Sequence, residues 1–208
     1  MSALDINAIL QAMQTAVPGA QITLLENPSP SAQHSLLLPA EHAIALARFL
    51  RDEPTLRFDF CSNATGVDWP DTEITEKIKT KTLVDGVEKE VEETRKTLRP
   101  GYLEAVYHLF SMELKHGPLV IRMRTADRAA NVSLPSMTAV WRSTDFQERE
   151  IFDLFGIVFT GHHDLRRLLM WEEFTDHPMR KDYAPPAEDD GTERPVVEVA
   201  AAEGSVAE

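Results

Sequence analysis

Residues 148–183 read EREIFDLFGIVFTGHHDLRRLLMWEEFTDHPMRKDY, and the fold turns on how this stretch is interpreted. Its first third has helical spacing. Phe152 and Phe155 lie three apart with Ile151 and Leu154 beside them, and Gly156 supplies a left-handed stop. Asp145 is placed to cap the N-terminus, with Glu148 three residues on to complete a capping box. Ile157-Val158-Phe159 is a short apolar strand. The rest interleaves charged and aromatic residues with little periodicity. Such a segment holds a shape only if its ionic groups find partners, inside the fold or on another protein.

Upstream, Ile6, Ile9, Leu10, Met13 and Val17 recur at helical spacing until Pro18-Gly19 ends the pattern. Strands are predicted over 21–26 and 34–38, separated by a loop rich in Pro, Ser and Asn. Ala43, Ile44, Ala47 and Leu50 mark a second helix that stops before Pro54. Residues 56–61 alternate and carry two phenylalanines, so they predict a strand. Long strands follow over 102–113 and 119–125, with Lys115-His116-Gly117-Pro118 as their turn. Residues 132–135 then lead into a helix with Ser136 as its N-cap. The order is helix, two strands, helix, three or more strands, then the ERE helix and an extended C-terminal segment. That is an α+β domain over residues 1–183, with helices on one face of a mixed sheet.

Residues 73–99 differ in kind, being nearly all Glu, Lys and Thr with isolated apolar residues around Asp85-Gly86. That dipeptide is a strong hairpin signal, and a type I′ turn there pairs Lys81 with Glu90, Lys79 with Glu92 and Glu76 with Arg95. Residues 87–99 also suit a polar helix, because Glu, Lys and Arg are good helix formers. A hairpin with no apolar face to bury would project from the domain as an arm. Residues 184–208 hold seven acids against Arg194 and no periodicity, which predicts an acidic disordered tail.

The formal net charge of −13 argues against nucleic acid as a partner. No apolar run reaches membrane-span length and no signal-peptide layout opens the chain, so a cytoplasmic location is expected unless a partner holds it at a membrane. Cys61 is the sole cysteine, which excludes an intrachain disulfide and a four-thiolate iron–sulfur cluster built by this chain alone. Gly156 and Gly161 have P-loop spacing, but His162 stands where lysine must meet phosphate. No GxGxxG occurs, and no nucleophile is paired with a base at a recognisable spacing. His162, His163, Asp164 and His177 carry metal-binding atoms, yet adjacent residues on extended chain point apart, so no metal is expected. The better reading has His162 hydrogen-bonded in a turn and His163 exposed. The basic pairs Arg166-Arg167 and Arg180-Lys181 alternate with Leu165, Leu168, Leu169, Met170, Trp171 and Tyr183, the composition of an interface core. Internal pairing with Glu148, Glu150 or Asp153 is the alternative.

The ordered words ERExxDLFGIxFxGHxDLRRxL and HPxRKDY resemble the signature of the NADH-quinone oxidoreductase C-subunit family, the 30-kDa subunits of respiratory complex I. The chain departs from it at His163 for proline, at Phe146 and Phe174 for tryptophan, and at Met179 for leucine. FDFCSNATGVDWP (residues 58–70) resembles a second, looser landmark, with Cys61 and Asn63 in place of leucine and aspartate, and Tyr107-His108-Leu109 resembles a third. The resemblance implies a cofactor-free structural subunit bracing the peripheral arm of a proton-translocating enzyme. Its implied partners are the 49-kDa (D) subunit, near the quinone-reducing end, and others such as the B and I subunits. Iron–sulfur clusters, FMN and quinone would belong to those partners, and membrane contact, on the cytoplasmic side of the inner membrane, would come only through the complex. The signature residues implied for the partner interface are Glu148, Arg149, Glu150, Asp153, Gly161, His162, Arg166, Arg167, Arg180, Lys181, Asp182 and Tyr183. Alternatives are the equivalent subunit of a membrane-bound hydrogenase or of a complex with another donor, and a stand-alone acidic enzyme.

Overall fold

A computed structural model describes residues 5–84 and 87–185, the side chains of 76–95 excepted. The tail expected beyond residue 185 lies outside the described residues. The first helix, α1 (Ile6–Ala16), is capped by the Asp5 carboxylate, which accepts the Asn7 N–H at 3.0 Å, and it buries Ile9 and Met13. Strands β1 (Thr23–Leu25) and β2 (Ser35–Leu37) precede α2 (Ala43–Asp52), whose buried stripe is Ala43, Leu46, Ala47 and Leu50. Then come β3 (Phe60–Trp69), β4 (Thr72–Val84), β5 (Val87–Arg99), β6 (Tyr102–Ser111) and β7 (His116–Arg124). The last third holds β8 (Ser133–Pro135), a 3-10 turn (Arg142–Thr144), α3 (Asp145–Phe155) and β9 (Val158–Thr160).

Five strands form the main sheet in the order β1-β2-β7-β6-β3. Only the β2–β7 pairing within it is parallel, so the sheet is mixed as expected. Alternation along β6 sends Leu103, Ala105, Tyr107 and Leu109 into the core with the helices, where Phe58, Leu36, Leu46, Leu50, Ile121 and Met123 join them. Glu104, Val106 and His108 fall on the opposite face. Strands β4 and β5 make a separate two-stranded sheet in the predicted register, Lys81 against Glu90, Lys79 against Glu92 and Glu76 against Arg95. The hairpin therefore forms, and the helical alternative does not.

Four local expectations are corrected. The strand predicted over 56–61 starts only at Phe60, because Arg57 turns left-handed (φ 44°) and Phe58 plugs the core. It then runs on through the polar 62–66, which need only one paired edge against β6. The β6–β7 turn sits at 112–115, earlier than Lys115–Pro118. The Asp59 carboxylate fixes it by accepting the N–H groups of Met112 (2.8 Å) and Glu113 (3.3 Å), a partner no local pattern reveals. Ser136 caps no helix, since β8 pairs in parallel with β9 and the Ser136 hydroxyl turns to Glu148. The capping box is absent too. Thr144 occupies the N-cap position without a capping bond, its hydroxyl donating instead to the Trp141 carbonyl at 2.8 Å, Asp145 is already helical, and Glu148 is turned inward.

Candidate functional site

Helix α3 packs against β3, with the Phe155 ring over Gly66 so closely that a Cβ there would lie 2.5 Å from it. Three of its charged residues are buried, and each has a separate task. The Glu148 carboxylate accepts the Ser136 hydroxyl (2.6 Å), the Met137 N–H (2.8 Å) and the Tyr107 phenol (3.1 Å). It has no cationic partner among the described residues, so burial outweighs those donors and pushes its pKa up to about 7. Burial also raises the neighbouring Tyr107 phenol, helped by the Glu148 charge, and lifts the Cys61 thiol to about 12. Cys61 is thus an inert core group.

Asp153 and Arg149 hold the extended segment in place. The Asp153 carboxylate accepts three successive backbone N–H groups, from Leu168 (3.0 Å), Leu169 (2.7 Å) and Met170 (2.9 Å), and the Arg167 guanidinium at 2.7 Å. Burial alone would raise its pKa, but these donors keep it below the ordinary carboxylate value. Arg149 donates to the carbonyls of Arg166 and Arg167, both at 3.3 Å. Further along, Arg180 donates to the Phe155 carbonyl at 2.6 Å and the Met179 N–H donates to Leu154 O at 3.1 Å. Gly156, at φ 78°, leaves room for the His177 ring, which a Cβ would meet at 2.5 Å. Asp68 on β3 ties down the end, accepting Arg128 twice at 2.6 Å and the Lys181 N–H at 2.8 Å. Residues 161–183 are thereby strapped across α3.

The structure divides the signature residues into two groups. Glu148, Arg149, Asp153, His162, Arg167 and Arg180 spend their polar atoms within the chain. For Arg167 the internal alternative holds, with 13% of its side chain exposed, whereas the Arg166 side chain is 67% exposed and bonds only Asp164 among the described residues. Glu150 and Gly161 are exposed, Gly161 turning the chain at φ 83°. Asp182 meets Arg128 at 3.1 Å, and the Tyr183 ring lies 6.4 Å from Phe174. With Arg167 and Arg180 turned inward, the strap presents Leu169, Trp171 and Met179, each more than half exposed, on its outer surface beside exposed charges such as Arg166, and Phe146 is similarly open on α3. Tyr107 stands out in the sequence only as part of a family landmark and Ser136 only as a helix cap; nothing local marks either as a partner of Glu148, which lies 41 and 12 residues away.

His162 and His163 do not point apart. Gly161 bends the chain, so period-two alternation fails and the two rings stack in parallel at 5.2 Å, each with Nε2 3.4 Å from the Asp145 carboxylate. The three candidate ligand atoms lie within 4.8 Å of one another. His162 is nevertheless ill suited to a metal. Its Nδ1 accepts the Asp164 N–H at 3.1 Å, so the ring proton sits on Nε2, which donates to the Asp145 carbonyl at 3.1 Å. The group works as a hydrogen-bonded clamp, with His162 in a turn and His163 exposed as expected.

Residues 36–189 match the family described as "Respiratory-chain NADH dehydrogenase, 30 Kd subunit". The C subunit of the NADH-quinone oxidoreductase of Roseiflexus castenholzii is 36% identical over 180 residues, covering 86% of this chain and 84% of that one. Its namesake in Coxiella burnetii is 36% identical over 151 residues, 71% of this chain and 65% of that one. A chain in the solved structure of the membrane-bound sulfane sulfur reductase, an archaeal respiratory membrane complex, aligns over 86% of this chain and 85% of that one. Its TM-score is 0.56 at 18% identity, a likeness of fold.

Proposed function

The chain belongs to the 30-kDa subunit family of the respiratory-chain NADH dehydrogenase, and from that premise we propose that it is a cofactor-free structural subunit of the enzyme's peripheral arm. The observation that carries this reading is the strap. Arg167 and Arg180 on the strap, with Arg149 and Asp153 on α3, are consumed in fixing the segment to the helix, and Leu169, Trp171 and Met179 are left outside for another surface to cover. A rigid strap loses little conformational entropy on docking, which suits a brace.

In this reading the outer surface of the strap meets the 49-kDa (D) subunit near the quinone-reducing end, with others such as the B and I subunits close by. The iron–sulfur clusters, FMN and quinone are held by those partners. The chain takes no part in electron transfer itself, since its one thiol is buried and its His-Asp group is closed by internal hydrogen bonds. Among the described residues no helix is long and apolar enough to cross a membrane. The chain is held on the cytoplasmic side of the inner membrane through the complex.

Affinity purification through a tag on this chain, from detergent-solubilised membranes, tests the proposal. NADH:quinone reductase activity should elute with it, together with polypeptides of the peripheral arm identified by mass. The chain purified alone should carry no stoichiometric iron, zinc or flavin. Elution without partners, or an isolated chain that turns over a substrate, would overturn it.

A further inference from the structure

The face of the main sheet turned away from the core carries a charge pattern that the strap does not use. Cross-strand register puts Trp69 opposite Tyr102, Glu104 opposite Arg124, and Val106 opposite Arg122, all on this face. Val106 and Val120 are buried on this face although they stand outside the core cluster. Glu104, with no exposure, accepts Arg122 and Arg124 at 2.8 Å each and the Trp69 indole N–H at 3.2 Å. One carboxylate therefore holds two guanidiniums. Arg124 also lies 4.6 Å from the centroid of the Tyr102 ring, with Arg99 at 6.0 Å, and the Lys181 ammonium lies 5.9 Å from the centroid of the Trp69 ring. Among the described residues the side chains of Arg99 and Lys181 have no carboxylate partner.

We propose that this face docks an acidic segment of a partner polypeptide in the assembled enzyme, an inference that rests on the subunit reading above. Four cations and one carboxylate gather here on a chain whose net charge is −13, so the surplus is local and of opposite sign to the whole. Glu104 and the Tyr102 ring hold the guanidiniums in place, and the Trp69 ring lies beside the Lys181 ammonium, which lowers the entropy lost when a carboxylate is bound. Arginine with Trp and Tyr is also the composition of interface anchors. The same arithmetic favours a short acidic peptide over a polyanion: nucleic acid or an anionic bilayer would meet the acidic remainder of the surface as well.

Two experiments on the membrane-purified complex test this. Zero-length carbodiimide coupling should join Lys181 to an Asp or Glu of another chain. The double variant Arg99→Glu/Lys181→Glu, which spares the Glu104 cluster, should melt like the parent when isolated but be recovered in the complex at least ten-fold less. Coupling of Lys181 only to this chain's own acids between 188 and 208 would assign the face to its tail and overturn the proposal. Normal recovery of the variant without interchain coupling would show a merely solvated face, and binding of the isolated chain to anionic vesicles would point to a membrane. If even the wild-type chain recovers no partner, the subunit reading fails first and this inference with it.

Discussion

Glu148 is a carboxylate in the core with three hydrogen-bond donors and no cation, and its behaviour with pH follows from that. Its folded pKa, about 7, lies above the ordinary 4.5, so the folded chain binds the proton more tightly than the unfolded one. The stability this contributes is present below about 4.5 and is lost as pH rises to about 7. His108 and His177, lowered chiefly by burial, act in the opposite direction over part of this range, so only a comparison isolates Glu148. Urea unfolding of the parent and of Glu148→Gln should differ little near pH 5. The variant should then gain on the parent by up to about 3 kcal/mol by pH 8. Parallel pH curves would contradict this account of the site. The adjacent arginines should also separate. Arg167→Glu breaks a buried pair with Asp153 and should cost about 3–5 kcal/mol, whereas Arg166→Glu on the surface should cost less than about 1 kcal/mol. Thermal melting of the two single variants decides it, and equal losses would refute the division. Sequence reading named Asp153 and these arginines but left their partners open. What it could not supply was direction, since an ionic residue looks the same whether its partner is internal or foreign.

At the scale of elements, legibility followed the range of the forces involved. Helices α1 and α2 and the hairpin of β4 and β5 were predicted because stripe, stop and turn residues lie within a few positions of one another. The errors occur where a remote side chain intervenes: Asp59 fixing a turn more than fifty residues away, Glu148 claiming Ser136, and β9 pairing with β8. The hairpin is a separate sheet whose base is set by Asp71, which accepts the Gly101 N–H at 2.6 Å. Removing residues 73–99 and joining the ends with a short linker should leave cooperative melting intact; a broadened or absent transition would show that the arm belongs to the core. The C-terminus of α3 should be far less tolerant. Gly156→Ala strains a left-handed residue and drives a methyl into His177 and Arg180, so it should destabilise by at least about 1 kcal/mol. Limited proteolysis of this variant should also cut first within 161–183, and an unchanged digest would mean that the strap does not depend on that close approach.

For the whole molecule, the inward ionic skeleton and the outward apolar strap make one claim: this chain contributes a surface to the respiratory enzyme. The fold class was legible in the order of elements along the chain, and the family in residues 148–183, because a strap that must thread its own ionic partners constrains many positions at once. The docking surface proposed on the strap was legible only in composition. Its geometry depends on where Asp153 and Arg149 grip the backbone of the strap, a long-range pairing that no local pattern encodes. The most direct test is Leu169→Asp with Trp171→Asp, two exposed side chains of the strap that make none of its ionic bonds, the Leu169 bond to Asp153 coming from its backbone N–H. The account predicts that the isolated variant unfolds at the same urea concentration as the parent. Membranes containing only the variant should lose most of the assembled complex and of their NADH-driven quinone reduction. Full assembly and activity with both aspartates in place would contradict it.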